Sequence, residues 1–162
     1  MHIEIASENF RNWSALLTLL HECYAYMDAR IDPPSSLIGM TEDDLRAKAQ
    51  RECLIVAHES DQLVGCAYAD IRRTCVYVGK VAVATTARNR GVARQLMAVA
   101  ESVARRSGQR VLELQTRIEL LENQRAFAAL GFKAVAETAH AGYLRPTSIT
   151  MQRALNFPHS DA

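Results

Sequence analysis

"KVAVATTARNRGVARQL", running from Lys80 to Leu96, decides how the rest of the chain is read. An apolar, β-branched run passes into a polar turn carrying Arg88, Arg90 and Arg94 around one glycine, and then into apolar residues at helical spacing. If a helix opens at about Gly91, its first N–H groups have no partner inside it and point into the turn, where the helix dipole adds positive potential. That geometry binds phosphate. Gly91 lets a ligand approach the backbone, Ala93 keeps the wall shallow, and the three arginines can make charge-assisted contacts. The same residues also fit a basic, solvent-exposed turn with no ligand, and a lone Gly-x-Ala at a helix start does not separate the two.

The bulk of the sequence bears on that choice. At 162 residues, 49% of them apolar, the chain is expected to form one domain, 1–162, with a single core. Lys and Arg total 19 against 18 Asp and Glu, a formal charge of +1, so no global field draws the chain to nucleic acid or anionic membrane. Any anion site must come from local clustering. No apolar run approaches the ~20 residues that span a bilayer, and "MHIEIASENF" is acidic and alternating, unlike a signal peptide; a cytoplasmic protein is expected. Cys23, Cys53, Cys66 and Cys75 show no CxxC pair and no zinc spacing. They are expected to be small buried hydrophobes, with no metal and no disulfide.

Along the chain, "IEIA" alternates as a strand, and Ser7 stands as an N-cap before a helical stripe of Phe10, Trp13, Leu16, Leu17, Leu20, Tyr24 and Met27. Pro33 and Pro34 break that pattern, and Thr41 with Asp44 forms a capping-box signature for a second helix through "EDDLRAKAQ". "CLIVAHE", "LVGCAYADI" and "CVYVGKVAVA" read as an antiparallel meander with short polar breaks. A third helix follows the arginine turn and ends at Gly108; "RVLELQ" is a strand, about Leu120 to Leu130 a helix, and "FKAVAET" and "SITMQRAL" the last strands. This order suits an α/β-layered domain with a mixed sheet.

The stretch "RNRGVA" fits Arg/Gln-x-x-Gly-x-Gly/Ala, with "VAV" before it and a helix ending in "LGF" (Leu130 to Phe132) further on. Together these resemble the GNAT superfamily of acyl-CoA-dependent N-acyltransferases, over nearly the whole chain. The resemblance implies a central, mostly antiparallel sheet of about seven strands, helices on both faces, and a splay between the fourth and fifth strands. It also implies acetyl-CoA as cosubstrate, no metal, and an N-acetyltransferase that works by direct attack of a small-molecule or peptide amine on the thioester. A homodimer is compatible with such folds.

By the same resemblance, the backbone from Arg88 through Asn89, Arg90, Gly91, Val92, Ala93 and Arg94 would cradle the pyrophosphate. Val81, Ala82 and Val83 would pair with the pantetheine arm as a strand edge pairs with a peptide, and the Val83 N–H would stabilise the developing oxyanion. The family's tyrosine before Leu-Gly-Phe falls on Phe127 here, its asparagine on Leu120 and its alanine on Asn123. Phe127 can pack on the arm but cannot donate a proton, whereas Asn123 can hydrogen-bond it. The glutamate that some members carry on the central strand corresponds to Tyr77, expected to act as base or to hold a water. Tyr143, in the loop "AHAGYLRP", is the preferred acid; His140, Glu113, Tyr68 and Asp70 are further candidates. Tyr26, Asp28 and Arg30 are in reach of an acceptor. The missing tyrosine and glutamate also suit a non-catalytic acyl-CoA-binding or sensing module, while near-neutral charge argues against a nucleic-acid binder.

Overall fold

A computed structural model of the chain describes residues 1–157. Its elements are β1 (His2–Ile5), α1 (Trp13–Tyr24), α2 (Glu42–Arg51), β2 (Cys53–Glu59), β3 (Gln62–Ile71) and β4 (Val76–Val83), then α3 (Val92–Ser107), β5 (Val111–Arg117), α4 (Leu121–Ala129), β6 (Lys133–Thr138) and β7 (Ser148–Ala154). The seven strands form one sheet in the order β1-β2-β3-β4-β5-β7-β6, in which β4 and β5 are parallel and every other pair antiparallel. The expected element order, strand count and mixed sheet are all present.

Local chemistry accounts for most boundaries. Ser60 and Asp61 both take positive φ, 50° and 65°, the two-residue turn whose twist matches a hairpin, and so β2 and β3 pair up to Glu59↔Gln62. Helix α2 starts where the sequence predicts. Thr41 Oγ1 accepts from the Asp44 N–H, Asp44 accepts from the Thr41 N–H, three acidic residues occupy the first turn, and Lys48 and Arg51 the last. Gly108 ends α3 with φ 76°.

The start of α1 is a correction. Ser7 does not cap it: its Oγ accepts from the Asn9 N–H and its carbonyl from the Phe10 N–H, closing a separate turn, and the helix begins at Trp13 with Asn12 as N-cap. A serine bonding its own neighbourhood competes with helix initiation, and Phe10 still contributes by packing edge-on against Trp13 at 4.8 Å. At the other end the helix tightens into a 3-10 turn over Ala25–Met27.

Strand alternation divides the core between the two faces of the sheet. Leu54, Val56, Cys66, Tyr68 and Ala82 pack with Leu16, Leu20 and Leu45 of α1 and α2. Ile55, Ala67, Val76, Val78, Leu112 and Leu114 pack on the other side with Leu96, Met97 and Ala100 of α3. Full burial of a side chain such as Leu96 or Met97 contributes about 1.5–3 kcal/mol. All four cysteines are free thiols; Cys23, Cys66 and Cys75 are buried and Cys53 half-buried.

In β4 the order of faces reverses midway. Cys66 pairs with Ala82 but Tyr68 with Gly79, so two steps on β3 meet three on β4, and Lys80 takes φ 51° within the extra residue. This β-bulge puts Val78 on the α3 side and Ala82 on the α1 side of one strand.

Candidate active site

Strands β4 and β5 pair only at Val76↔Leu112 and Tyr77↔Glu113. Past Tyr77 they part, although β4 continues to Val83 and β5 to Arg117. Their outer edges stay bonded throughout, β4 to β3 as far as Gly65↔Val83 and β5 to β7 as far as Arg117↔Ser148. The bulge follows shortly after the parallel pairing ends, and the bend it introduces in β4 leaves a slot between two strand edges that no longer pair with each other. The Ala84 N–H donates to Val64 O on β3 at 2.8 Å. By strand alternation the N–H groups of Val83 and Val81 therefore point the other way, into the slot.

Past the slot, the chain turns through left-handed Asn89 (φ 61°) and Gly91 (φ 80°) into α3. The first amide to bond back is that of Gln95, to Gly91 O at 3.0 Å, so those of Val92, Ala93 and Arg94 point out of the helix end. A Cβ at Gly91 would meet nothing within 4 Å: the residue is a glycine because of its φ, and the space above it is open. The three arginines take different positions. Arg90 makes a bidentate pair with Glu59 at 2.8 and 2.7 Å, which holds the Glu59 carboxyl below its usual range. Arg88 folds back to donate from Nε to Val83 O at 3.3 Å. Arg94 is exposed and makes no side-chain hydrogen bond or ion pair among the described residues.

The acetyltransferase (GNAT) family model matches residues 13–132, which include α1, the slot-forming part of β4, the Gly91 turn and α4. The chain belongs to that family. No curated protein sequence matches it. Among solved structures it resembles the PaiA N-acetyltransferase from Thermoplasma acidophilum in complex with coenzyme A (TM-score 0.77, 14% identity, covering 95% of this chain and 99% of that one). It also resembles the aminoglycoside 6'-N-acetyltransferase from Enterococcus faecium (0.76, 15%, 98% and 99%) and the ribosomal-protein-S18-alanine N-acetyltransferase from Escherichia coli (0.70, 13%, 99% and 97%). At these identities the likeness is one of fold.

The side chains that the sequence nominates in this GNAT acetyltransferase are spread along the slot and its rim. Tyr77 is half-buried on the α1 side, its ring 4.0 Å from the Arg72 guanidinium. Burial pushes its phenol up, against the lowering effect of the Arg72 charge. Tyr143 donates to Asp32 Oδ1 at 2.5 Å, and that hydrogen bond moves its phenol above the usual range. Phe127 stands edge-on to Phe132 at 6.2 Å and packs on the α3-side core. Asn123 accepts from the Tyr26 hydroxyl at 3.1 Å; Arg30 forms a bidentate pair with Glu122 and lies over the Tyr26 ring. These contacts latch the end of α1 to the start of α4. Asp28 is exposed and lines a small pocket beside His21 and Tyr24.

The remaining candidates hold structural partners. The Tyr68 hydroxyl donates to Leu45 O at 2.9 Å, Glu113 accepts from Gln152 at 2.8 Å, Asp70 pairs with Arg72 at 3.0 Å, and His140 Nδ1 meets Thr147 Oγ1 at 2.5 Å. Desolvation and the Arg117 charge hold His140 below its usual range. No group of three His, Cys, Asp or Glu among the described residues could hold a metal ion, and no described helix is long and apolar enough to cross a membrane.

Two features lay outside the sequence reading. The Tyr24 hydroxyl donates to Val81 O at 2.8 Å and the Cys23 thiol to Val83 O at 3.4 Å, so the end of α1 rests on the slot edge of β4. Tyr24 reads as core stripe and Cys23 as a small buried hydrophobe, and neither reading shows a contact with β4. The segments "IDPPSSL" and "RPTSITM" also meet. Arg145 pairs with Asp32 at 3.3 Å and with Glu119 at 3.5 Å, while Arg117 donates to Pro33 O and Pro34 O at 2.8 and 3.1 Å. The odd composition of these segments was the available signal, and its meaning is a clasp over the slot's far end.

Proposed function

We propose that the chain transfers an acetyl group from acetyl-CoA to a primary amine of a small molecule or peptide, by direct attack of the amine on the thioester. One observation carries this reading: the β4 edge that β5 leaves unpaired past Tyr77, with the Val81 and Val83 N–H groups turned into the slot, runs directly into a helix end opened by left-handed Gly91. A pantetheine arm is amide-bearing and extended, so it can pair with such an edge, and a pyrophosphate suits the free amides of Val92, Ala93 and Arg94. The CoA complex of the Thermoplasma relative supports the same cosubstrate.

When bound, acetyl-CoA supplies an activated acyl group. The chain's own part is to align it and to stabilise charge. The Val83 N–H donates to the thioester oxygen as negative charge develops there, a contribution worth roughly 10²–10³ in rate for one such donor. Val81 and Ala82 hold the arm beside it, and Arg88, Asn89, Arg90 and Arg94 surround the phosphates. Asn123 and Phe127 flank the arm from α4, while Tyr26, Asp28 and Arg30 border the acceptor. Tyr143, kept protonated by Asp32, is the proton donor to the departing thiolate, and Tyr77 orients a water or the amine. A reducing cytoplasm suits the free thiols, and a homodimer would use the exposed β6 edge.

The test is calorimetric binding of CoA and acetyl-CoA, followed by thiol release over a panel of amines. Absence of CoA binding sinks the reading. Tight binding with no transfer to any amine replaces it with a non-catalytic acyl-CoA-binding module, which Phe127 at the usual tyrosine position favours.

A further inference from the structure

Between α2 and the bulged part of β4 lies a cavity of about 390 Å³ whose polar wall is Ser36, Asp44, Lys48, Arg51 and Lys80. Its volume falls within the range of small-molecule sites. The charges around it do not balance. Lys48 is committed to Glu52 at 2.7 Å, and Asp44 gives Oδ2 to the Thr41 N–H in the capping box. Among the described residues Lys80 has no carboxylate within ion-pair distance; its Nζ donates to Ser36 Oγ at 3.0 Å. Arg51 makes no ion pair or side-chain hydrogen bond among the described residues. Burial, with the Lys48 charge, holds the Lys80 ammonium below the usual lysine range despite Glu52, as expected for a cation short of counter-charge.

The position of Lys80 connects this cavity to the reaction. It immediately precedes Val81 on the edge that borders the slot, and the bulge, with φ 51°, carries its side chain toward α2 on the face opposite α3. We propose that the cavity is an anion subsite for the acceptor, in which Lys80, with Arg51 and Ser36, binds a carboxylate carried by the amine substrate. This rests on the acetyltransferase reading above and names its substrate class. Three strand rises carry the chain from Lys80 to Val83, about 10 Å. The amine and carboxylate must therefore be several bonds apart, as in an ω-amino acid or a short peptide with a free C-terminus.

The experiment uses the full chain and a series of ω-amino carboxylates and glycine oligomers of increasing length, each matched with its terminal amide and with an aminoalkyl phosphonate. Two quantities are read: thiol release with acetyl-CoA, and protection of Lys80 from an amine-modifying reagent, followed by mass spectrometry with and without CoA. Carboxylates are expected to protect Lys80 and to show a KM about tenfold below that of their amides. Lys80→Gln raises the carboxylate KM about tenfold and leaves the amide KM and the CoA affinity alone, Lys80→Arg restores most of the loss, and Arg51→Ala shifts KM the same way from outside β4. Equal use of amides and carboxylates, an equal effect of Lys80→Gln on both, or protection by no carboxylate overturns the proposal. Phosphonates protecting where carboxylates fail overturns the carboxylate assignment. Failure to bind CoA would sink the acetyltransferase reading instead, while the protection measurement still decides the subsite.

Discussion

The Tyr143 hydroxyl donates to Asp32 Oδ1 across 2.5 Å and so ties the loop between β6 and β7 to the loop between α1 and α2, 111 residues earlier in the chain. Asp32 also receives Arg145, so a single carboxylate holds both the phenol and a guanidinium. The bond keeps Tyr143 protonated through neutral pH, as a general acid requires. Tyr143→Phe is therefore expected to lower kcat by about 10²-fold at unchanged CoA affinity and to remove the alkaline limb of the rate profile. Unchanged kcat across pH would leave Tyr143 as part of the clasp alone.

The arginine turn separates into one free side chain and two occupied ones. Arg94 has no protein partner among the described residues, whereas Arg90 is already held by Glu59 at both nitrogens. Arg94→Ala should weaken CoA binding by about tenfold, because a charge-assisted hydrogen bond to phosphate disappears with the side chain, and Arg90→Ala by less. Glu59→Gln should tighten CoA binding by releasing Arg90. Titrations in low and high salt check the order, since these exposed interactions are screened. Equal losses at Arg90 and Arg94 would show that Arg90 exchanges Glu59 for phosphate at no cost.

Gly91→Ala isolates the effect of backbone conformation. The added Cβ meets nothing within 4 Å, so the folded chain bears only the strain of an L side chain at φ 80°, about 1 kcal/mol. Urea unfolding should show a loss of that size. CoA affinity should fall further, because the methyl group occupies the space through which the phosphates approach the amides. An affinity loss no larger than the stability loss would argue that the phosphates bind elsewhere.

What the sequence made legible was the part governed by short-range pattern. The α2 capping box, the three-strand meander, the Gly91 turn and the place of α4 depend on residues within a few positions of one another. The bulge at Lys80 did not show, because "CVYVGKVAVA" is apolar on both sides of it and only pairing with β3 reveals the extra residue. The Ser7 turn failed to show for a related reason: a serine can cap a helix or close its own turn, and its neighbours decide. The pairings within the site proved least legible. Tyr24 on Val81, Arg90 on Glu59, Tyr26 on Asn123 and Tyr143 on Asp32 join segments distant in sequence. Pattern and resemblance nominated Tyr26, Asn123, Arg90 and Tyr143 but not Glu59, and which pairs meet follows from packing.

The tyrosines on the α1 side of the sheet make a prediction about alkaline stability. Burial raises the phenols of Tyr24, Tyr68 and Tyr77 and the thiols of Cys23, Cys66 and Cys75. As pH passes their unfolded values, about 9 to 10, the unfolded chain releases protons that the folded chain retains. The folded state then binds more protons, and stability falls as pH rises. Lys80, whose ammonium is lowered, opposes this by one group. The thermal midpoint should hold steady from pH 7 to about 8.5 and drop steeply above it. Tyr68→Phe separates the two roles of its hydroxyl. It should cost about 1 kcal/mol at pH 7, where the bond to Leu45 O is lost, and flatten the alkaline slope, while acetyl transfer at pH 7 is retained. A loss of transfer exceeding the loss of folded protein would return Tyr68 to the catalytic candidates.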